Sequence, residues 1–324
     1  MLLAENPEGC PFLPGGEPIG PGDVVRLPGL VRVLEGFAER GRAVFRGELG
    51  EAVVGAVAAR GGVLELEDLR GAEAEWCEPV GSELNGLRLS VTPAPTHGPS
   101  LLSAVADPRL GGGVGEAWDA VHDAIRARSG TLADPRPPGG TSMVGAADAE
   151  GNAVVLLHSN SYPQFGSGIV VPGLDLVLSN RAGRGFADRP GHPNAPAPGR
   201  RPALTLHLWA VDGPRGRLLG GTPGGDNQMP WNAQALREVL RGEDRPGHLV
   251  TSPRWGRTPD GEGVRVEEGF DRDEVAELGT KVAAVERVPR FGLRSAQQVL
   301  GPLRQGQALE AAADPRSGGL AVGV

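Results

Sequence analysis

The residues best suited to chemistry fall in one block, Gly139-Gly140-Thr141-Ser142-Met143-Val144-Gly145-Ala146-Ala147-Asp148. A Pro- and Gly-rich stretch, residues 130–140, runs straight into Thr141, and the residues that follow read as a buried strand. Pro135, Pro137 and Pro138 exclude helix and central strand from that stretch, so it is a linker. The layout suits an N-terminal nucleophile. If the protein itself cuts the Gly140–Thr141 bond, the freed threonine supplies both parts of the machinery: its hydroxyl attacks, and its own α-amino group takes the proton. A free α-amine titrates at about 8, so a usable fraction is neutral near pH 7 and no histidine is required as base. The plainer reading of the same residues is a turn leading into a strand.

Other catalytic signatures are missing from the chain. The nearest approach to a nucleophile elbow, residues 140–145 (GTSMVG), has the wrong spacing. No HExxH, paired CxxC or P-loop occurs, and the Gly111–Gly115 run fails the dinucleotide fingerprint because Glu116 stands where the last glycine belongs. His122 has no second histidine one helical turn away, and His158 reads as a strand residue, so no metal and no cofactor are expected. A weaker alternative is Ser142 acting with His97 or His158.

The elements that must position Thr141 can be read from periodicity. Leu30, Leu34 and Phe37 recur at helical spacing on one face, and Leu49, Val53, Val54 and Val57 form the stripe of a second helix. Residues 64–70 form a short helical turn, 87–93 a strand, and 98–106 a helix. Residues 116–128 form an amphipathic helix with Trp118, Val121 and Ile125 inward. After the linker the character changes to strands. Met143–Ala147 and Ala153–His158 are joined by a turn at Asp148, Gly151 and Asn152, a hairpin signal. Further strands are expected at 169–171, 174–179, 203–209 and 217–221, and a helix from Asn227 to Arg241 with Met229, Leu236 and Leu240 inward. Between the strands lies residues 185–202, a loop with five prolines. Helices first and strands second point to layered α and β.

Composition bounds the rest. In 324 residues there are 52 Gly and 30 Pro, yet 39% of residues are apolar and fall in periodic runs, which describes a loop-rich folded protein. With seven Phe, five Trp and one Tyr, the core must be built from Ala, Val and Leu. Net charge is −8, and Lys281 is the single lysine; without a basic stripe, nucleic acid is not an expected partner. No apolar run nears the length of a membrane span, and the start, MLLAENPEGCPF, has neither a basic region nor a long apolar one, so a cytoplasmic protein is expected. Two cysteines, Cys10 and Cys77, do not make a disulfide framework.

From Thr141 onward the sequence resembles the small subunit of γ-glutamyltransferases. Four stretches carry the likeness, in order: Thr141-Ser142-Met143-Val144 followed by residues 148–154 (DAEGNAV); residues 165–173 (FGSGIVVPG); Leu178-Ser179-Asn180-Arg181 followed by the long loop; and Gly221-Thr222-Pro223-Gly224-Gly225. Residues 19–49, 61–68 and 92–99 (TPAPTHGP) resemble the late part of the large subunit.

The resemblance implies an α+β fold, a four-layer αββα sandwich of N-terminal-nucleophile hydrolase type. It divides the chain into residues 1–140, a shortened large-subunit part, and 141–324, a small-subunit part, within one domain. It implies cleavage between Gly140 and Thr141 into chains of 140 and 184 residues. Thr141 is then the nucleophile, Ser159 its hydroxyl partner, and Gly224 and Gly225 the backbone donors to the oxyanion. The family's substrate contacts fall on Asn160, Ser161, Asn180, Arg181, Arg184 and Thr205. The loop 185–202, carrying Arg189, Arg200 and Arg201 with Arg184 just before it, is expected either as a lid over the pocket or as a solvated basic loop.

Three departures modify the expected substrate. Residues 180–186 (NRAGRGF) hold no carboxylate where glutathione-cleaving members hold an acidic residue, and an arginine favours a carboxylate or phosphate over an ammonium. Pro202-Ala203-Leu204-Thr205 replaces the family's Ser-Ser pair. Family members also carry a longer segment ahead of this region, so a second subunit supplying it, or a homo-oligomer, is an expected partner. The substrate class is a small amide, γ-glutamyl-like or specialised. The 180–186 variant resembles an actinobacterial branch that includes C–C bond hydrolases building alkylproline units of antibiotics. The non-enzymatic alternative is a degenerate partner subunit.

Overall fold

The computed structural model describes residues 2–7, 9–129, 140–161, 166–258, 261–306 and 308–323. The helices used below are α1 (Pro28–Arg40), α2 (Glu48–Ala58), α3 (Gly98–Ala106), α4 (Val114–Ser129), α5 (Gln228–Leu240) and α6 (Arg272–Gly279). The strands are β1 (Val80–Leu84), β2 (Leu87–Val91), β3 (Gly140–Ala147), β4 (Ala153–Ser161), β5 (Val170–Val171), β6 (Leu176–Val177), β7 (Trp209–Gly213), β8 (Gly216–Gly221), β9 (Trp255–Arg257), β10 (Val264–Glu267), β11 (Val285–Val288), β12 (Gln298–Leu303) and β13 (Ala311–Ala313). The chain is α+β, as expected. It forms two compact units, residues 1–76 with 160–180, and 77–159 with 181–324.

In the first unit, Val33 of α1 and Val53 and Ala56 of α2 pack with Val171 and Leu174 beside the β5–β6 pair. The expected face of α1 is corrected. Leu34 and Phe37 are exposed, and the buried face carries Gly29, Val33 and Gly36. Close approach of backbone decides this. A Cβ on Gly29 would stand 2.5 Å from the Gly173 carbonyl oxygen, so the helix can lie against residues 173–174 only through its glycine. The expected strands at 169–171 and 174–179 shrink to the two-residue β5 and β6.

The second unit is built on a six-stranded antiparallel sheet of order β1-β2-β7-β8-β12-β13. Alternation along its strands sends residues to opposite faces. Leu89, Val91, Trp209, Val211, Leu218 and Val299 meet the apolar sides of α3, α4 and α5, including Leu101, Val121 and Leu236. Trp118, Val121 and Ile125 of α4 are buried as expected. The other face of the sheet carries the β3–β4 ribbon. The Gln298 amide donates to the Met143 carbonyl at 2.8 Å, and a Cβ on Gly145 would stand 2.5 Å from the end of the Leu300 side chain. Helices, sheet and ribbon thus stack in layers. A smaller sheet, β11-β10-β9, adds Val264 and Val266 to the same core.

The expected strand at 203–209 begins only at Trp209; residues 203–208 are spent on bonds to the 92–95 turn, with Leu204 N–H donating to the Pro95 carbonyl and Thr92 N–H to the Leu208 carbonyl. Six strands carry no expectation from the sequence: β1, which hairpins onto β2, and β9 to β13.

Candidate active site

The ribbon sets the position of Thr141. Its turn is closed by Asp148, which receives the Asn152 N–H at 2.9 Å on Oδ1 and the Asn152 Nδ2–H at 2.9 Å on Oδ2, while Asp148 N–H donates to the Asn152 carbonyl. Counting back along β3 from Asp148 to Thr141, and forward by the same number along β4 from Asn152, reaches Ser159. The two do meet: Thr141 Oγ1 donates to Ser159 Oγ at 3.0 Å. Thr141 is half-buried and shares the sheet-facing side of β3 with Met143 and Gly145, while Ser142 and Val144 face outward and are exposed. Ser142 lies on the opposite side of the strand from Thr141; of its two suggested partners, His97 is buried with its Nε2 engaged by Arg128 at 3.0 Å, and His158 is exposed on the outward face of β4.

Register then directs the strand. Gly145 lies over Leu300, and the Met143 sulfur lies over Gly221 at the end of β8. Continuing in the same direction, Thr141 leads toward residues 222–225, the turn between β8 and α5. In that turn Gly224 has φ 144°, outside the range of L side chains, and an added Cβ would stand 2.4 Å from the Trp231 ring. Gly225 has φ 57° and opens the short 3-10 turn Gly225–Asn227 that feeds α5. The turn therefore sits at the N-terminus of α5, where backbone N–H groups and the positive end of the helix dipole favour negative charge. The Asn227 side chain does not cap the helix; its oxygen receives the Arg257 N–H at 3.2 Å.

A buried polar chain fixes α5 to the segment carrying Thr205. His207 donates from Nδ1 to the Thr205 carbonyl at 2.8 Å and receives the Asn232 amide on Nε2 at 2.9 Å. Asn232 Oδ1 receives Trp209 Nε1–H and Gln297 Nε2–H, each at 3.1 Å. Burial, reinforced by Arg128 and opposed by the Thr205 carbonyl, pushes His207 down to about 4, so the ring is neutral with its proton on Nδ1. Arg128 donates to the carbonyls of Pro95 and Leu204; burial lowers its pKa to about 10, against the pull of Asp226.

The remaining expected contacts divide between the units. Asn160, Ser161 and Asn180 belong to the first, where Asn180 N–H donates to the Asn160 carbonyl at 2.9 Å and Ser161 is buried with φ 67°. Arg181, half-buried, opens a short helix, Arg181–Gly185, in the second; the Arg184 side chain lies outside the described residues. The 185–202 loop is closed at its neck, with Ala203 N–H donating to the Gly185 carbonyl, and is braced by Asn194, whose amide reaches that same carbonyl. Arg200 is turned onto its own loop, donating to the Pro193 and Ala195 carbonyls. Gly140 is the first residue of β3.

Sequence reading missed the polar side chains under the turn. Gln228 and Asn232 are wholly buried, four residues apart on one face of α5. Their signal was present as two amides at helical spacing among Met229, Leu236 and Val239.

The γ-glutamyltranspeptidase family profile matches residues 4–106 and 117–324. The chain is 26% identical over 373 aligned positions to the glutathione hydrolase-like YwrD proenzyme of Bacillus subtilis, covering 100% of this chain and 71% of the relative. It is 29% identical over 361 to the oxamate amidohydrolase proenzyme of Klebsiella pneumoniae, covering 96% and 68%. Among solved structures, the cephalosporin acylase of Bacillus halodurans superposes with a TM-score of 0.75 at 25% identity, over 95% of this chain. The present chain spans 64% of that acylase. The chain belongs to the γ-glutamyltranspeptidase family of N-terminal-nucleophile hydrolases.

Proposed function

We propose that this protein is a self-processing threonine hydrolase or acyltransferase that cuts its own Gly140–Thr141 bond and then cleaves small amides. The observation that carries the reading is the Thr141–Ser159 hydroxyl pair on the sheet-facing side of a strand aimed at the glycine turn of α5. Thr141 Oγ attacks the amide carbonyl and its proton passes to the freed α-amine. The carbonyl oxygen becomes an oxyanion next to the N–H groups of Gly224 and Gly225. Collapse of the tetrahedral species breaks the C–N bond, and the amine leaves with the proton held by the α-amine. Water, or a second amine, then attacks the acyl ester and regenerates the hydroxyl. Ser159 orients the threonine hydroxyl and accepts its hydrogen bond in the resting state.

Residues 180–186 contain two arginines and no carboxylate, which favours an acyl group bearing an anionic substituent over one bearing an ammonium. The relatives' names, glutathione hydrolase-like, oxamate amidohydrolase and cephalosporin acylase, define the panel to test. Purified protein incubated with each amide, with release of the amine as readout, should show turnover that Thr141→Ala abolishes. Turnover unchanged by that substitution would remove the proposal. A non-catalytic partner subunit is the second reading; the retained hydroxyl pair and the strained glycine turn speak against it.

A further inference from the structure

The carboxamide of Gln228 lies directly beneath the glycine turn and is wholly buried. Only one orientation of the amide satisfies it: its nitrogen donates to the Thr222 carbonyl at 3.3 Å and its oxygen accepts the Gly225 N–H at 3.2 Å. The side chain therefore spans the turn from its first residue to its last. On the far side Thr222 Oγ1 donates to the Pro223 carbonyl and receives the Ala296 N–H, and the Trp231 ring closes the space under Gly224.

We infer that Gln228 is a positioning residue for the oxyanion turn, holding the Gly225 N–H on a weak neutral acceptor from which only a charged oxygen draws it. The inference rests on the reaction proposed above and deepens it. At 3.2 Å the bond is at the long end for N–H···O. A substrate carbonyl is a neutral acceptor of the same kind as the Gln228 oxygen, so it gains nothing by competing for the donor. An oxyanion forms a charge-assisted bond of about twice the strength and wins the N–H. The donor's contribution then appears in the transition state and not in the substrate complex, which raises kcat without tightening substrate binding. The bond to Thr222 keeps the turn in register while the N–H is redirected.

The test compares wild type, Q228L and Q228E, each as the full chain, for self-cleavage, melting temperature, and kcat and KM across pH on the amide that wild type turns over fastest. Q228L removes both bonds. Its kcat should fall roughly 10- to 100-fold, less than the 10²–10³ of losing a donor outright, with KM changed less than about threefold. Q228E is the discriminating variant. When its carboxyl is protonated it reproduces the amide's donor and acceptor; when ionised it holds the Gly225 N–H with a charge and repels the oxyanion. Its kcat should approach wild type at acidic pH and fall away as pH rises, on a descending limb that wild type lacks. A purely structural role would move the melting temperature but not create that limb. Q228L with wild-type kcat, or Q228E with the wild-type pH profile, would overturn this inference and leave the proposed reaction standing. A wild type that neither matures nor turns over any amide would overturn the proposed reaction and this inference with it.

Discussion

Thr141 and Ser159 face each other across the β3–β4 ribbon, hydroxyl to hydroxyl at 3.0 Å, because the Asp148–Asn152 turn places them equally far from the bend. The pair is half-buried and lies on the side of the ribbon that meets the main sheet. A threonine oxygen held this way is oriented before any substrate arrives. Removing the partner by Ser159→Ala should lower kcat by about tenfold, the worth of one neutral hydrogen bond of about 1.4 kcal/mol, and slow maturation in step. Steady-state kinetics with densitometry of the two chains would show this; unchanged rates would mean that Ser159 is a bystander.

Gly224 is the residue least replaceable in the turn. Gly224→Ala forces a methyl group into the Trp231 ring at a φ of 144°. We expect a loss of about 1–3 kcal/mol in denaturant unfolding. Maturation should be lost as well, since the turn would have to move. A variant of wild-type stability that still matures would contradict the conformation described for this turn.

Much of this was legible from residue order alone. The hairpin at 148–152 and the helix at 98–106 lie where periodicity and turn residues placed them, and the helix expected at 116–128 runs from 114 to 129. Two features were not legible, for physical reasons. The buried face of α1 is made of Gly29, Val33 and Gly36, and glycine adds no apolar signal to a pattern that counts side chains, so Leu34 and Phe37 looked like the core and are exposed. Gln228 and Asn232 are polar residues inside a helix, satisfied by Thr222, Gly225, His207 and Trp209, partners distant in sequence or hidden in backbone. No local pattern reports such pairing.

Buried histidines set an acid limit. His207 and His122 are each held near a pKa of about 4 mainly by burial, against about 6.5 in the unfolded chain. Between those values the unfolded state binds protons that the folded state refuses. Stability is therefore full above pH 6.5 and declines as pH falls toward 4, by at most about 1.4 kcal/mol per pH unit for each histidine. Urea unfolding at pH 7 and pH 5 should show the lower midpoint at pH 5. His207→Asn should flatten the slope; equal midpoints for wild type would refute the assignment.

A buried ion cluster anchors the far end of the second unit. Arg316 donates to Asp314 at 2.9 Å and to Glu267, and all three side chains are wholly buried. Arg316→Met would remove the direct ion-pair partner of two buried carboxylates, leaving Arg254 3.9 Å from Asp314, and should cost about 3–5 kcal/mol. Thermal melting would register this as a large fall; a change under about 1 kcal/mol would show that water reaches the site.

Intact-mass analysis of purified, active protein measures the central claim most directly. We expect two chains of 140 and 184 residues, the second beginning at Thr141, and a single 324-residue chain for Thr141→Ala. Active protein in which residues 140 and 141 remain joined would contradict the account.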